Sequence, residues 1–323
     1  MSAPDLGARV RAAWPVAPGW PVAVAFSGGR DSLCLLDLAA TIAGLDAVLA
    51  VHVHHGLRAR DADDDAFAAG TVARALGAAL RVVVLRPPDE LVVPDGPSAV
   101  PWARDARRAA LRAAADAWGG PATPVLVAHT ASDQAETVLL RAISSPGTRA
   151  LAGIAPAGPA RGVERPLLRA GASRADTGAW CAARGLPVRD DPTNPRTPRG
   201  RVRALLADLE GVDGRATAAL VRTAALARED DEALSAVAAG LVDDDGAALA
   251  AVAAAPVAVG RRALRLVAER ALGRACPRVG ARLEEVLALG AGGDGTGALD
   301  LGDGVRATVG GGRLRCGPSP RRA

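Results

Sequence analysis

The chain has 323 residues, enough for two domains that each bury a core. Half of it is apolar, but aromatics make up only 2%, tyrosine is absent, and all 39 basic residues are arginine because no lysine occurs. The missing residue types share AT-rich codons, so the arginine content reflects a GC-rich coding background. A net charge of +4 therefore permits a polyanionic partner without demanding one.

The four cysteines, Cys34, Cys181, Cys276 and Cys316, are scattered without a C-x-x-C pair. That excludes a zinc knuckle, a cysteine-held iron–sulfur site and a dithiol redox centre, and leaves reduced thiols of a cytoplasmic protein as the expectation. No apolar run reaches the roughly eighteen residues of a membrane span and the N-terminus does not read as a signal peptide, so no membrane partner is expected.

In chain order, the first clear element is the apolar run Pro21 to Phe26, which reads as a buried strand. Ser27-Gly28-Gly29-Arg30-Asp31-Ser32 follows, and then the apolar helix pattern of residues 33–40. A Ser-Gly-Gly turn between a strand and a helix start suits phosphate. Glycines let backbone N–H groups approach oxygen closely, and the helix N-terminus adds unpaired N–H groups and a positive dipole end. The loop has neither the lysine of a Walker loop nor the G-x-G-x-x-G spacing. The alternative is an ordinary strand–turn–helix corner. Asp31 is acidic in a phosphate site, which requires a cation or a positively charged reactant to share it.

Residues 47–53, 81–85 and 125–128 read as further strands, with helical patterns near 61–77, 98–118 and 132–143 between them. This alternation predicts an α/β domain built on a parallel sheet covered on both faces, with ligands outside the carboxyl ends of the strands. Ser27, His54 and His129 all fall just past predicted strands. His52 and His54 share one face of their strand, so either a metal or a nucleotide cleft is consistent with them. Thr130 or Ser132 can cap the helix that follows His129, which sets Asp133 and Glu136 on one face, able to bind Mg2+ or to hold an ammonium group. Arg104 and Arg107, three apart, face either the cleft or solvent.

Residues 145–172 are rich in Pro and Gly and read as irregular, before a short helix at 174–184. The Asp191-Pro192-Thr193-Asn194 loop is stiffened by prolines and leads to Arg199, Arg201 and Arg203, guanidiniums suited to phosphate contacts. Helical patterns resume over 201–239 and 256–289, and short strands are predicted at 298–301, 305–309 and 313–316. A boundary near residue 215 divides a catalytic domain, 1–215, from a smaller, mostly helical domain, 216–323. No internal repeat is evident.

The Ser-Gly-Gly-x-Asp-Ser loop resembles that of the ATP pyrophosphatase superfamily, which splits ATP between its α- and β-phosphates. His-x-His-His-Gly-Leu-Arg at 52–58, Ala-Arg-x-Ala-Arg at 103–107 and Ala-His-x-x-x-Asp-Gln-x-Glu-Thr at 128–137 follow in order. Leu-Leu-Arg at 139–141, Leu151-Ala152-Gly153-Ile154, Arg165-Pro166-Leu167-Leu168 and Asp191-Pro192-Thr193-Asn194 complete a series that resembles the tRNA(Ile)-lysidine synthetase family over about residues 20–210. The chain departs from the family's habit at Ser144 to Gly147, at Arg108 where an aromatic is usual, and at Gly200 where Asn is usual.

The resemblance implies an adenine-nucleotide-hydrolase-like fold and a ligase using ATP and Mg2+. The wobble cytidine of an isoleucine tRNA with a CAU anticodon attacks the α-phosphate through O2, pyrophosphate leaves, and the ε-amine of free lysine then displaces AMP at C2. It implies ATP binding by Ser27, Gly28, Gly29, Arg30, Asp31, Ser32 and His54. Catalysis is implied for Asp31, Arg107, Asp133 and Glu136, lysine binding for Asp133 and Glu136, and tRNA binding for Arg104, Arg199, Arg201 and Arg203, with a homodimer allowed. The competing readings are a tRNA thiolase of the same superfamily, which would bring a sulfur-handling cysteine set, a small-molecule amidating ligase with an ammonia route, and a non-catalytic nucleotide- or RNA-binding module.

Overall fold

The computed structural model describes residues 3–54, 70–71, 73–74, 76–85, 101–145, 147–158, 162–188, 197–291 and 296–320. Most of the helix expected near 61–77, the His55 to Arg58 part of the histidine motif and the loop from Asp190 to Arg196 lie outside them. The chain divides into two compact units, Met1–Ala224 and Ala225–Ala323.

In the first unit, strands β1 (Val22–Ala25), β2 (Val48–His54), β3 (Ala79–Val84), β4 (Val125–Leu126) and β5 (Val163–Glu164) form one sheet in the order β3-β2-β1-β4-β5. Every neighbouring pair is parallel. The helices are α1 (Ala3–Ala12), α2 (Arg30–Ala43), α3 (Pro101–Gly119), α4 (Ala131–Ser144), α5 (Thr148–Leu151), α6 (Pro166–Arg169), α7 (Arg174–Ala183) and α8 (Pro198–Val212), and α9 (Ala216–Ala239) runs across the division.

Alternation along the strands explains the two layers of helices. Val22, Val24, Val48, Ala50 and Leu126 join the core under α1, α2 and α7. Their neighbours Ala23, Ala25, Leu49, Val51, Val53 and Val125 join Leu111, Ala114 and Ala115 of α3 on the opposite face. β1, β2 and β4 are buried on both faces and so read as continuous apolar runs, whereas the edge strand β3 is largely exposed.

The strand order reverses between β1 and β4. The chain adds β2 and β3 on one side of β1, then β4 and β5 on the other. Such a reversal opens a crevice at the carboxyl ends of the two central strands. The Ser27 loop leaves β1 there, and the His129 to Glu136 segment follows β4. β5, α5 and α6 occupy the Pro- and Gly-rich stretch expected to be irregular. They are two to four residues long, too short to show a period.

α2 is apolar nearly all round, with Leu33, Cys34, Leu35, Leu36, Leu38 and Ala39 fully buried, so the loop that precedes it is seated on a rigid element. α7 is fastened to α2 at its far end. Trp180 Nε1 donates to Asp37 Oδ2 at 2.8 Å, and Arg184 Nε lies 2.6 Å from the same oxygen. A Ser173–Asp176 capping box starts α7, and that start carries Arg174 and Thr177 to the first turn of α2.

The second unit packs α10 (Leu249–Ala254), α11 (Val257–Leu272) and α12 (Leu283–Gly290) with an antiparallel sheet of β6 (Val242–Asp243), β7 (Gly246–Ala248), β8 (Gly297–Gly302), β9 (Val305–Gly310) and β10 (Arg313–Pro318). Its core joins Leu264, Val267 and Val286 to Val305, Val309 and Leu314. The three expected C-terminal strands are β8, β9 and β10; β6 and β7 extend that sheet and had no signal of their own. A buried ion pair, Arg262 NH1 to Asp231 Oδ1 at 2.5 Å, ties α11 to the later part of α9.

Candidate active site

The Ser27–Ser32 loop is internally braced and open above. Ser32 Oγ donates to Gly29 O at 2.8 Å and accepts from Ser27 N at 3.2 Å, and the two serine hydroxyls lie 3.1 Å apart. Gly28 has φ +83°, and a Cβ built there would meet nothing within 4 Å, so the backbone faces open space. Gly29 caps α2 without any side-chain hydrogen bond. An uncapped helix N-terminus beneath an open glycine cradle suits a phosphate chain. His52 Nδ1 lies 3.0 Å from Phe26 O and holds the strand end from which the loop springs, and His54 is buried one alternation further along β2. Among the described residues no group of three His, Cys, Asp or Glu could hold a metal.

Three carboxylates from two helices converge beside this loop. Asp31 stands in the first turn of α2, and Asp133 and Glu136 in the first turns of α4. Arg174 reaches all three. NH1 donates to Glu136 Oε1 at 2.7 Å, NH2 to Asp133 Oδ1 at 3.0 Å, and Nε lies 3.5 Å from Asp31 Oδ2. Burial works against the Arg174 charge, but Asp133, Glu136 and Asp31 together hold its pKa above the ordinary guanidinium value.

Burial also pushes the Asp31 carboxyl upward, aided by the charge of Asp133, whereas the Thr177 hydroxyl (donating to Oδ1 at 2.5 Å), Arg174 and Arg30 pull it back. Asp133 Oδ2 accepts from Thr130 N at 2.9 Å and from Thr130 Oγ1 at 3.0 Å, completing the capping box of α4. Glu136 is 1% exposed and meets two more arginines: Arg203 Nε donates to Oε1 at 2.7 Å, and Arg199 Nε lies 3.4 Å from Oε2.

His129 closes the cleft on the β4 side. Its Nδ1 accepts from Arg165 Nε at 3.0 Å, and Arg165 NH1 donates to Ala155 O at 2.9 Å. Burial, and then the charges of Arg165, Arg199 and Arg107 opposed by Asp133, push its pKa down to about 4. Below its ordinary 6.5 the unfolded chain binds a proton that the folded chain refuses until pH falls to about 4. Stability is therefore expected to drop as pH falls between those values and to be insensitive to this group above them, by at most about 3 kcal/mol. Denaturant titrations of the protein and of His129→Gln across that window, with NMR titration of the imidazole, check this; an imidazole titrating near 6.5 would contradict it.

The remaining motif residues prove to be braces. Gln134 Oε1 accepts from Ile154 N at 2.6 Å, and Gly153, at φ +61°, lies so close to that side chain that a Cβ would sit 2.6 Å from it. Arg141 NH1 donates to Gly153 O at 2.8 Å. Together they fix the segment after α5 against α4.

The structure brings Asp31, Asp133 and Glu136 together beside Ser27, Gly28, Gly29, Arg30 and Ser32. Arg107 is half-buried; desolvation first, and Arg104 second, lower its pKa, and its charge is felt at His129. Arg104 is exposed. The Arg199, Arg201, Arg203 run divides by helical period: the first and last, one turn apart, face Glu136, whereas Arg201 points outward and is exposed. Sequence reasoning missed Arg174, Thr177 and Arg165 as site residues. Arg174 follows the Ser of a capping box, where it reads as an ordinary helix start, and only Arg165 had a motif to mark it.

A parallel sheet with a glycine cradle at its switch point and carboxylates beside it defines a PP-loop nucleotide-binding domain, and the PP-loop domain family matches residues 12–209. The tRNA(Ile)-lysidine synthase of Nocardia farcinica is 41% identical over 253 residues, 76% of this chain and 74% of that protein. That of Streptomyces coelicolor is 40% identical over 316 residues, covering 92% of this chain and 86% of that protein. The chain belongs to the tRNA(Ile)-lysidine synthase family. Among solved structures, the U34-tRNA thiolase NcsA from Methanococcus maripaludis with its [4Fe-4S] cluster shares the fold, with a TM-score of 0.57 at 18% identity over 70% of this chain and 78% of that one.

Proposed function

We propose that this chain forms lysidine by joining free lysine to C2 of the wobble cytidine of an isoleucine tRNA with a CAU anticodon, at the expense of ATP. The observation that carries the reading is the convergence of Asp31, Asp133 and Glu136 beside an open phosphate cradle. A bare nucleotide-binding module has no need to gather three acids, at the cost of their mutual repulsion, next to a polyanion. An enzyme that must bring an ammonium-bearing amino acid to a phosphorylated centre does.

In this reading the triphosphate lies along Ser27 to Ser32, with backbone N–H groups and the start of α2 on its oxygens. The donor set suits Mg2+ carried on phosphate oxygens, since the described residues offer no all-protein cage and Asp31 is the carboxylate nearest the cradle. When bound, the ion neutralises charge on the departing pyrophosphate. The cytidine must leave its stack to present O2 to the α-phosphate, and Arg107 lies on the His129 side to steady charge as it develops. Asp133 then holds the lysine, with Glu136 behind it, while the neutral ε-amine attacks C2 and AMP departs. Of the four arginines expected on tRNA, Arg104 and Arg201 are exposed and make no contact with Glu136, and they meet tRNA phosphate in this scheme. The second unit grips the rest of the tRNA, the protein works in the cytoplasm where charged and uncharged tRNA are found, and a homodimer is compatible with this scheme.

Incubation with ATP, labelled lysine and transcribed CAU-anticodon tRNA is expected to place label in the RNA and release AMP, with AMP release abolished when tRNA is omitted. Label-free RNA, or ADP in place of AMP, would overturn the reading. A sulfur-transferring relative would release AMP on the same tRNA without any need for lysine, and the burial of Cys34, Cys181 and Cys276 does not favour it.

A further inference from the structure

Among the described residues, Arg174 is the side chain that touches both halves of the site. Asp31 belongs to the nucleotide loop, and Asp133 and Glu136 to the amino-acid side, and its three nitrogens each serve a different one of these carboxylates. The main chain of Arg174 is held as well: Arg174 N donates to Ser132 Oγ at 3.1 Å, and the Arg174 carbonyl lies 3.0 Å from Thr177 Oγ1. Thr177 in turn donates to Asp31.

The acceptors are unequally filled. Glu136 Oε1 takes two donors, Arg174 and Arg203, so its lone pairs are used, and Oε2, buried without a hydrogen bond among the described residues, faces Arg199 Nε at 3.4 Å. Asp133 Oδ1 accepts from Arg174 and keeps a second lone pair for an incoming ammonium. Without Arg174, Asp133 and Asp31 would face each other as like charges, with Arg30 at 3.9 Å from Asp31 as the cation next at hand.

We propose that Arg174 is a positioning residue that aims Asp133 at the lysine ammonium and couples the amino-acid pocket to the nucleotide loop. It does not touch the reacting atoms. A planar fork with nitrogens pointing three ways can do this, whereas a lysine ammonium, a compact point charge, can satisfy only part of the set. The inference rests on Asp133 being the lysine-binding acid, so Asp133→Asn is included as its own control.

The test is steady-state lysidine formation by Arg174→Gln, Arg174→Ala and Arg174→Lys, with thermal unfolding of each. Arg174→Gln is expected to raise the KM for lysine about tenfold or more while the KM for ATP moves less than about threefold, and Arg174→Lys to recover part of the loss. Equal shifts in both KM values, a fall in kcat with neither KM changed, or Arg174→Lys no better than Arg174→Gln would overturn the proposal. Should Arg174→Ala not fold, the Gln and Lys variants decide. An Asp133→Asn variant with normal lysine KM would sink the lysine-pocket assignment itself. A raised KM in Asp133→Asn beside a normal one in Arg174→Gln would sink the Arg174 inference alone.

Discussion

Replacing Glu136 with alanine is expected to damage stability and activity together. The carboxylate is 1% exposed and pairs with Arg174, Arg199 and Arg203 at once. Removing one partner of a buried charge set leaves the others uncompensated, at a cost of about 3–5 kcal/mol. The arginine side chains are 23%, 49% and 34% exposed and regain some water once the acid is gone, which places the cost toward the lower end. For a unit of this size each kcal/mol moves the midpoint by about 2–4 °C, so a fall of about 6–12 °C is expected in calorimetry. Lysine incorporation is expected to fall about a hundredfold or more even below that midpoint, because Arg174 and Arg203 lose a shared anchor and α4, α7 and α8 lose the contact that registers them. Glu136→Gln keeps the shape and one acceptor oxygen, and is expected to lose less stability than activity. An alanine variant that melted and reacted like the parent would show that the cluster is ornamental.

Asp31→Ala is expected to strike the other half of the reaction. The carboxylate sits in the first turn of α2, directly after the glycine cradle, with Arg174 and Thr177 fixing its two oxygens. Loss of a preorganised electrostatic group at a phosphate-transfer centre costs about 10²–10³ in rate, so AMP release should fall by that factor. Binding of tRNA, which rests on other residues in the proposed scheme, should change little. Asparagine separates charge from geometry. Its Oδ1 still accepts from Thr177, but the charge facing the cradle and Arg174 is gone. If Asp31→Asn kept full AMP release, the negative charge at this position would have no part in the chemistry, and the acid beside the phosphates would need another explanation.

Much of the site was legible because its signals are short-range. Ser27 to Ser32 reads as a phosphate loop from six adjacent residues flanked by a strand and a helix, and the fold supplies the brace of Ser27, Gly29 and Ser32 that such a turn needs. Asp133 and Glu136 fall on one face of α4 by helical spacing alone, and Thr130 caps that helix as its side chain suggests. β1, β2 and β4 were visible because burial on both faces imposes unbroken apolar runs. The two-residue β5 was not, since two residues carry no period.

Sequence by itself determined the class of fold, the family motifs, and the spacing of the candidate site residues along the chain, all of them matters of spacing within a turn or a strand. Tertiary structure alone decided what balances the acids. Thr177 meets Asp31 from 146 residues away, and Arg174 comes with it because Trp180 and Arg184 clamp the same helix onto Asp37 of α2. The Arg199 to Arg203 run, uniform as a string, was split into two arginines that pair with Glu136 and one, Arg201, that does not, by the face α8 turns toward α4. Hydrophobic burial orients each helix, and that orientation, set by contacts between distant segments, determines which charges can meet.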